Sequence, residues 1–447
     1  MVTNVAFPAL EELSIDEMPN ITEIWDKNLL PAESFCLLRS LDVKECEKLM
    51  NVVPSHILPQ LNSIETLEVS ECPEMEVIVV LEKREEETQE ATNKDTIIVF
   101  PKLGYLTLRE LENLKGVCAY KSEDRLCFNV QVAFPALEEL CIDSMPNITE
   151  IWDNYLLQPE SFCLLRSLRV QGYEKLSSLI VQDCEKLMNV VPSHMLPFLK
   201  NIQTLKVSNC PQMEVVVVLE KREEDTQETT NKDMIIVFPQ LREMTLGGLE
   251  NLKGVCAYKS ENRLCFNIQV EFPSLEELSI YSMHNITKIW DKNLLHPDSF
   301  CLLRSLGVRG YEKLRSLTVD NYKKLMNGIP SHMFPLLKNI ETLCVFECPE
   351  MEVIVVFEKR EEETQEATNK DIIMQFPELR EMTLRELENF KGVCAYKSED
   401  RLYFNIQVAF PKLSTSYPYL ILDEHSEKIF TEATSGKQTC AGFLSQP

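Results

Sequence analysis

The chain contains little glycine, and its glycines are not arranged to bind phosphate. Glycine occurs 12 times in 447 residues, and no Gly-x-Gly-x-x-Gly segment is present. The one Gly-Lys pair, Gly436-Lys437, is followed by Gln438 and has Thr431 where a phosphate-binding loop has its first glycine. Such a loop needs both glycines and a Ser or Thr after the lysine, because backbone N–H groups surround the phosphates and the hydroxyl binds Mg²⁺. We therefore expect no nucleotide binding, and the sequence predicts no other cofactor.

Positive charge is also in short supply. The chain has 45 Lys and Arg residues against 71 Asp and Glu residues, which gives a formal net charge of −26 at pH 7. Proteins that bind nucleic acid draw mainly on clustered Lys and Arg, which displace counterions from the phosphates. Anionic membranes would repel the chain for the same reason. We therefore expect neither nucleic acid nor a membrane as a partner.

Long apolar segments are missing from the sequence. The longest purely aliphatic runs, such as residues 215–219, are far shorter than the roughly 20 residues of a membrane-spanning helix. The amino terminus, MVTNVAFPALEEL, lacks a basic region followed by an apolar one, so no secretory signal is expected. These observations predict a cytoplasmic protein.

Neither histidine nor cysteine is spaced for metal binding or catalysis. Three of the six histidines, His56, His194 and His332, stand in repeated Pro-Ser-His triplets with no Cys or His at the spacing of zinc ligands. The 16 cysteines recur at fixed repeat positions instead of clustering, which is typical of reduced thiols that pack as small apolar residues. Acidic residues are abundant throughout, so their number does not identify a paired acid and base. We expect no metal site, no catalytic residue and no enzymatic activity.

One long motif divides the chain into copies. It reads FPALEELSIDEMPNITEIWD on its first occurrence, and its three occurrences lie at residues 7–26, 134–153 and 272–291. The long copies that it opens span residues 7–133, 134–271 and 272–409. Such self-similarity predicts one leucine-rich-repeat array over residues 1–413. Residues 414–447 lose the pattern and are expected to form a divergent carboxy-terminal tail or a weak cap.

Within each long copy a shorter block repeats, with apolar residues at its positions 1, 4, 6, 9 and 12. In the first block these residues are Leu10, Leu13, Ile15, Met18 and Ile21. A helix would place apolar residues at i, i+3, i+4 and i+7, whereas the step of two between positions 4 and 6 is typical of a short strand between turns. The spacing matches the leucine-rich-repeat template, in which each coil of the chain supplies one strand.

We therefore predict the α/β fold class, in the form of a leucine-rich-repeat solenoid. Stacked coils would form a parallel β-sheet of about a dozen strands on a concave face, with loops, short helices or 3₁₀ turns on the convex face. In the second and third copies two blocks overlap, at residues 165–187 and 303–325, and either block of each pair could supply the strand. An acidic segment at residues 82–95, which has counterparts in the other copies, predicts a solvated loop or a frayed helix.

Positions 5 and 7 of each strand define the candidate binding surface. Because positions 4 and 6 point into the core, positions 5 and 7 point to the opposite, concave face. The candidates for partner contact on that face are Ser14, Asp16, Lys44, Ser70, Arg109, Asp143, Ser208, Ser279, Tyr281, Phe346 and Arg385, with Arg309 added if the block that begins at Leu303 is the strand. They change in charge, size and aromaticity between copies, whereas the buried positions barely change. Exposed positions also vary freely without any function, so this variation fits a plain surface as well as a binding surface.

Three phrases of the sequence resemble a known family. FPxLxxLxL, CPxMExIVV at residues 72–80 and LENLKGVC at residues 111–118 together are similar to the carboxy-terminal repeats of plant nucleotide-binding leucine-rich-repeat (NBS-LRR) disease-resistance proteins of the coiled-coil class. The resemblance covers residues 7–413 and implies the recognition module of an intracellular immune receptor in plant defense. The partners it implies are a pathogen effector, a guarded host protein, or the receptor's own nucleotide-binding domain, which such repeats hold inactive.

Two other functional classes remain open. The coiled coil and nucleotide-binding domain of this family have no counterpart in the 447 residues, so we expect a receptor fragment or a truncated paralogue. The alternative function is that of a substrate-recruiting leucine-rich-repeat domain of a ubiquitin-ligase adaptor, whose repeats also favour Cys at position 9. An F-box before the repeats would support that alternative, and none is present. An enzyme is the third class and has the least support.

Overall fold

The structure is a computed structural model that describes the chain in segments. The described residues are 7–25, 34–82, 97–122, 125–128, 130–148, 150–153, 163–166, 175–197, 199–220, 235–260, 263–266, 268–283, 288–291, 301–304, 314–325, 327–330, 333–334, 338–358, 373–398, 401–403, 407–413 and 439–440. The chain forms two compact units, residues 1–218 and 219–447.

The first unit consists of short strands joined by turns. The strands are β1 Glu12–Ile15, β2 Ser40–Lys44, β3 Val53–Pro54, β4 Thr66–Ser70, β5 Val77–Glu82, β6 Ile97–Val99, β7 Tyr105–Arg109, β8 Gly116–Ser122, β9 Arg125–Cys127, β10 Gln131–Ala133, β11 Glu139–Asp143, β12 Glu150–Asp153, β13 Cys163–Arg166, β14 Ser178–Gln182, β15 Val191–Pro192, β16 Thr204–Ser208 and β17 Val215–Glu220, the last of which runs past the unit boundary. Among the described residues of this unit, three 3₁₀ helices lie between strands, at Leu58–Leu61, Ser193–Met195 and Leu199–Asn201.

The second unit repeats this organisation. Its strands are β18 Ile235–Val237, β19 Glu243–Gly247, β20 Gly254–Ser260, β21 Arg263–Cys265, β22 Gln269–Glu271, β23 Glu277–Tyr281, β24 Lys288–Asp291, β25 Cys301–Arg304, β26 Ser316–Asp320, β27 Asn327–Pro330, β28 Thr342–Phe346, β29 Val353–Glu358, β30 Ile373–Gln375, β31 Glu381–Arg385, β32 Gly392–Ser398, β33 Arg401–Tyr403, β34 Gln407–Ala409 and β35 Thr439–Cys440. No α-helix occurs in either unit within the segments that the structure describes.

Each unit has one large parallel sheet, which we term its main sheet. In the first unit it contains, in order, β1, β2, β4, β7, β11, β14 and β16, and in the second unit β19, β23, β26, β28 and β31. Equivalent block positions pair across neighbouring strands, for example Leu41 with Leu67 and Leu106 with Leu140. Twelve strands, one from each coil, confirm the predicted leucine-rich-repeat fold.

The core lies behind the main sheets, where positions 4 and 6 point. In β7, Leu106 and Leu108 are buried, whereas Tyr105, Thr107 and Arg109 alternate with them on the other side. This alternation follows from strand geometry, since successive side chains point to opposite faces. Burying one such leucine contributes about 1.5–3 kcal/mol. The stacked pairs of apolar residues therefore stabilise the coils against each other and hold positions 5 and 7 in a fixed arrangement.

Every main-sheet strand is followed by the same turn at block position 8. The residues there all have a φ angle between 48° and 59°, and they are Glu17, Glu45, Glu71, Glu110, Ser144, Asp183, Asn209, Gly248, Ser282, Asn321, Glu347 and Glu386. Their N–H groups extend the ladder to the next strand, as from Glu110 to the carbonyl of Asp143 at 3.0 Å. Where position 9 is cysteine, its thiol donates to the position-7 carbonyl of the same coil, as from Cys348 to Phe346 at 3.0 Å. The turn thus fixes where each position-7 side chain leaves the sheet.

The overlapping blocks are resolved in favour of the second block of each pair. The main-sheet strands β14 and β26 belong to the blocks that begin at Leu176 and Leu314. At the start of the first blocks lie β13 and β25, which pair in parallel with β12 and β24, the strands that contain the Ile-Trp-Asp ends of the long motif. The residues of the first blocks that follow, 167–174 and 305–313, lie outside the described residues. The condition that would place Arg309 on a main sheet is therefore not met, and Arg309 itself lies outside the described residues.

The flank next to the main sheet contains more strand than we expected. The CPxMExIVV phrase ends in β5, which pairs in parallel with β8, and β9 is antiparallel to β8. In the second unit β29, β32 and β33 form the same arrangement. We expected loops, short helices or 3₁₀ turns here. The β-branched run in β5, Val77–Glu82, favours extended backbone because such side chains pack well on a pleated surface.

The acidic segments begin where flank strands end. Glu82, Glu220 and Glu358 are the last residues of β5, β17 and β29 and the first residues of the acidic segments, which are predicted to be solvated loops or frayed helices. The rest of each segment, at residues 83–95, 221–233 and 359–371, lies outside the described residues. In the carboxy-terminal tail, β35 pairs antiparallel with β34, and the rest of the tail is likewise outside them. Across the segments that are described, no helix is long and apolar enough to span a membrane.

Candidate functional site

The face of each main sheet that carries positions 3, 5 and 7 is the surface that the sequence predicts to be concave, and we term it the open face. Eight candidates end main-sheet strands at position 7, namely Lys44, Ser70, Arg109, Asp143, Ser208, Tyr281, Phe346 and Arg385. Ser14 and Ser279 lie at position 5 of β1 and β23, and Asp16 directly follows β1. Eleven of the candidates therefore lie on or directly beside the open face.

Two position-7 side chains of the open face were missed by the sequence reasoning. Gln182 and Asp320 end β14 and β26 at position 7, and so belong to the same row as the predicted candidates. The overlapping blocks concealed them, because both blocks of a pair satisfy the apolar spacing equally well. Gly247 occupies the same row at the end of β19 and presents no side chain.

In the first unit the open face is dominated by paired charges. Arg109 Nε donates to Asp143 Oδ2 at 2.9 Å across neighbouring strands, and Ser144 Oγ donates to Asp143 Oδ1 at 2.9 Å. The side chain of Asp143 is only 9% exposed. Both of its oxygens therefore have a hydrogen-bond donor. A partner that bound Arg109 in place of Asp143 would leave a buried carboxylate without its counterion.

Lys44 is also held by acidic neighbours. Its Nζ lies 3.2 Å from Glu45 Oε1 and 3.5 Å from Glu71 Oε1, and both glutamates occupy the position-8 turns. The hydrogen bond with Glu45 and the charge of Glu71 raise the pKa of Lys44. Ser70, which lies between Lys44 and Arg109 in the row, is 3% exposed. It contributes little surface to any contact.

Aromatic residues dominate the open face of the second unit. Tyr281 and Phe346 both stand at position 7, two strands apart, with Asp320 between them in the register of the sheet. A Cβ atom added to Gly247 would overlap Cζ, Cε1 and Cε2 of Tyr281, which shows that the tyrosine ring lies across the glycine. At the end of the row, Arg385 Nε donates to Glu386 Oε1 at 2.8 Å, and both side chains are at least half exposed.

Asp320 makes no ion pair with any side chain in the described segments. Its Oδ1 atom is buried and makes no hydrogen bond within the described part of the chain. Burial raises the pKa of Asp320, a hydrogen bond from the backbone of Asn321 opposes the rise, and the charge of Glu386 adds to it. A carboxylate in this state gains from any added donor or positive charge.

A row of weaker ion pairs lies at the other end of the strands, at block position 2. In the first unit Arg39 lies 3.8 Å from Glu11 and 3.7 Å from Glu65. In the second unit Glu341 lies between Arg315 and Arg380, at 4.0 and 3.7 Å. Exposed pairs of this kind contribute about 0–1 kcal/mol each. They can therefore rearrange when a partner binds.

Most of the cysteines whose side chains are described are buried in the core. Each of the 13 cysteines whose side chains the structure describes is free of a disulfide, and among them only Cys36, Cys127 and Cys265 are exposed. Burial raises the pKa of Cys72 to about 11 and that of Cys394 to about 12, so neither forms a reactive thiolate at neutral pH. No group of three or more His, Cys, Asp and Glu side chains within the described segments could hold a metal ion.

The two tryptophan side chains that the structure describes also pack into the interior. Trp25 is 1% exposed, donates from Nε1 to the carbonyl of Val52 at 2.5 Å, and meets Phe35 edge-on with ring centroids 4.8 Å apart. Trp152 is buried as well. The side chain of Trp290 lies outside the described residues. The described tryptophans therefore stabilise the flank and offer no surface to a ligand.

Comparison with known proteins gives one match. A family model described as plant disease resistance protein RPS2-like, leucine-rich repeats, matches residues 9–133, 171–272 and 309–408. These segments cover most of the chain and contain every main-sheet strand except β11 and β23. A search of curated proteins found no match.

Proposed function

We propose that the chain recognises a protein through the open faces of its main sheets. The proposal follows from its family, since the chain belongs to the family of leucine-rich repeats found in RPS2-like plant disease resistance proteins. The partner we propose is a pathogen effector or a guarded host protein, met in the cytoplasm. In the absence of that partner, the same repeats hold the nucleotide-binding domain of the immune receptor inactive.

One comparison between the copies carries the proposal. The second coil of each copy ends its strand in Val43-Lys44, Val181-Gln182 or Val319-Asp320. The valines are all buried, whereas the residue beside each of them changes from a cation to an amide to an anion. The fold thus keeps one scaffold and presents different chemistry on it, which is what a recognition surface on rigid strands requires.

The surface is also preorganised, which lowers the cost of binding. Position-7 side chains leave the sheet at turns fixed by a backbone hydrogen bond to the next strand, as at Glu110 and Glu347. Their β-carbons are attached to strands whose other face is core. A partner therefore meets a surface that loses little backbone entropy on binding.

The proposal is tested by capture from a plant leaf extract with matched variants of the folded chain. Arg385→Glu reverses an exposed charge on the open face, and Lys391→Glu reverses an exposed charge that lies beyond the strand, beside Glu352. We expect the proteins captured by the wild-type chain to be lost or reduced with Arg385→Glu and retained with Lys391→Glu. Capture that is insensitive to Arg385→Glu and to Phe346→Ala would count against recognition by the open face.

A further inference from the structure

One place in the first copy lacks a side chain that the third copy has. Block position 2 lies directly before each main-sheet strand. Before β2, β4 and β7 it holds Arg39, Glu65 and Gly104. Before the equivalent strands β26, β28 and β31 it holds Arg315, Glu341 and Arg380. The third copy thus has an arginine on each side of its glutamate, whereas the first copy has an arginine on one side and a glycine on the other.

The glutamate of the third copy shows what this place accepts. Glu341 Oε1 lies 4.0 Å from Arg315, and Glu341 Oε2 lies 3.7 Å from Arg380. In the first copy Glu65 Oε1 lies 3.7 Å from Arg39, and no described side chain forms an ion pair with Glu65 Oε2. The side chain of Glu65 is 46% exposed, against 34% for Glu341. Glu65 therefore keeps one of the two ion pairs that its counterpart makes.

A second glutamate lies on the other side of the glycine. The N–H of Gly104 donates to the carbonyl of Glu65 at 2.8 Å, and the N–H of Glu138 donates to the carbonyl of Gly104 at 2.8 Å. Glu138 is exposed and forms no ion pair within the described segments. Neighbouring strands are about 4.8 Å apart, so the backbones of the two glutamates are about 10 Å apart across the glycine. We term Gly104, Glu65 and Glu138 the position-2 gap.

We propose that the position-2 gap binds the guanidinium group of one arginine side chain from a protein partner, in the place that Arg380 takes in the third copy. This assignment rests on the proposed function and specifies the chemistry of the partner. A guanidinium group donates several N–H bonds from one rigid plane and can bond to two carboxylates at once, whereas a lysine ammonium is a compact point charge. The net charge of −26 also attracts basic partners toward the chain.

Two variants close the gap in different ways. Gly104→Arg gives the first copy the arginine of the third copy, so the chain's own side chain takes the place of the partner's. A Cβ atom at Gly104 would meet only the backbone oxygens of Glu65 at 3.7 Å and Ala136 at 3.9 Å, which are ordinary contacts, so this variant should fold. Glu65→Gln removes the charge at nearly constant size. Glu341→Gln is the matched control, since the Glu341 carboxylate is already paired with Arg380.

The test uses the folded full-length chain and synthetic 12-residue peptides on an array. Each peptide carries arginine at its centre in one version, neutral citrulline in a second and lysine in a third, within the same set of varied flanking sequences. The buffer contains about 150 mM salt, which screens attraction beyond about 8 Å and so reduces the contribution of distant charges. Circular dichroism confirms that all three variants fold.

The proposal predicts a preference for arginine over citrulline of about fivefold, the upper end for one exposed ion pair. This preference should persist with Glu341→Gln and fall to near one with Gly104→Arg and with Glu65→Gln. Lysine peptides should be retained less than arginine peptides. A preference that survives Gly104→Arg and Glu65→Gln, or equal retention of arginine and citrulline by the wild-type chain, overturns the assignment.

The two proposals can fail separately. If Arg385→Glu reduces capture from extract but the arginine preference does not respond to Gly104→Arg, the open face recognises a partner by other contacts and only the arginine assignment is lost. If capture is insensitive to the open-face variants and the arginine preference is insensitive to Gly104→Arg, both proposals are lost.

Discussion

Arg109 donates from Nε to Oδ2 of Asp143 at 2.9 Å, and this bond joins the ends of two neighbouring main-sheet strands. Asp143 lies 34 residues later in the chain and is almost completely covered. Both residues are predicted candidates for partner contact. In the free chain they form a hydrogen-bonded pair that is a fixed element of the open face.

Removing Arg109 should therefore destabilise the first unit. We expect Arg109→Ala to lower the free energy of unfolding by about 1–3 kcal/mol, because it leaves the buried Asp143 carboxylate with one fewer donor. Arg385→Ala, which breaks only an exposed pair with Glu386, should change the value by less than about 1 kcal/mol. Urea unfolding of both variants measures the difference. Equal effects would show that the Arg109–Asp143 bond contributes no more than a surface pair.

Substitution of Gly247 should disturb the aromatic surface of the second unit. Gly247→Ala places a methyl carbon 2.0–2.4 Å from three ring atoms of Tyr281, so the ring must move, at a cost of about 1–3 kcal/mol. Gly104→Ala is the matched control, because the added Cβ would meet only backbone oxygens at 3.7 and 3.9 Å. Near-ultraviolet circular dichroism should change for Gly247→Ala alone. The double variant Gly247→Ala, Tyr281→Ala should recover the lost stability in part.

The strands could be predicted from the sequence because burial of one strand face imposes a period of two. Leu106 and Leu108 are two residues apart and both face the core, and the same spacing of two apolar residues occurs in each of the main-sheet strands. Once coils are stacked, residues at equal positions become neighbours, so the register also follows. The open-face row was therefore predicted nearly in full.

The exceptions have a physical cause. Leu303 and Leu314 begin blocks that both satisfy the apolar spacing, so local sequence could not decide which one pairs with the preceding main-sheet strand. The second and third copies are each 11 residues longer than the first, and which of the two blocks joins the main sheet depends on tertiary packing. The same uncertainty hid Asp320, whose Oδ1 atom is buried and makes no hydrogen bond within the described segments. Contacts such as that of Tyr281 with Gly247 depend on rotamers and could not be inferred from spacing.

Replacement of a position-8 residue by glycine should leave the stability of the chain unchanged or raise it. Glu110 has a φ of 52°, a conformation that costs a residue with a Cβ about 1–2 kcal/mol. Glu110→Gly relieves this strain and keeps the N–H that bonds to Asp143, so we expect stability to be unchanged or raised. Thr107→Gly, in the strand before it, should lower stability because glycine weakens a strand. Thermal unfolding compares the two, and a larger loss for Glu110→Gly would contradict the role assigned to the turn.

Thiol reactivity should follow burial along the chain. Cys127 and Cys265 are exposed, whereas Cys118 and Cys256 are buried, and burial raises the pKa of both buried thiols. Brief treatment of the folded chain with iodoacetamide should label the exposed pair and leave the buried pair unmodified until urea is added. Peptide mass spectrometry measures the extent of labelling at each site. Early labelling of Cys118 would show that the flank strand β8 opens readily.

The pH dependence of stability should depend on Asp320. Its pKa is raised in the folded chain, chiefly by burial, so between the ordinary aspartate value and the folded value the folded state binds more protons than the unfolded state. The contribution of Asp320 to stability therefore falls as pH rises through that window, and the charged form is unfavourable at pH 7. Asp320→Asn should be more stable than the wild-type chain at pH 7, with the difference shrinking toward about pH 4. Urea unfolding of both proteins across this range measures the trend, and a difference independent of pH would show that the carboxylate is already satisfied in the free chain.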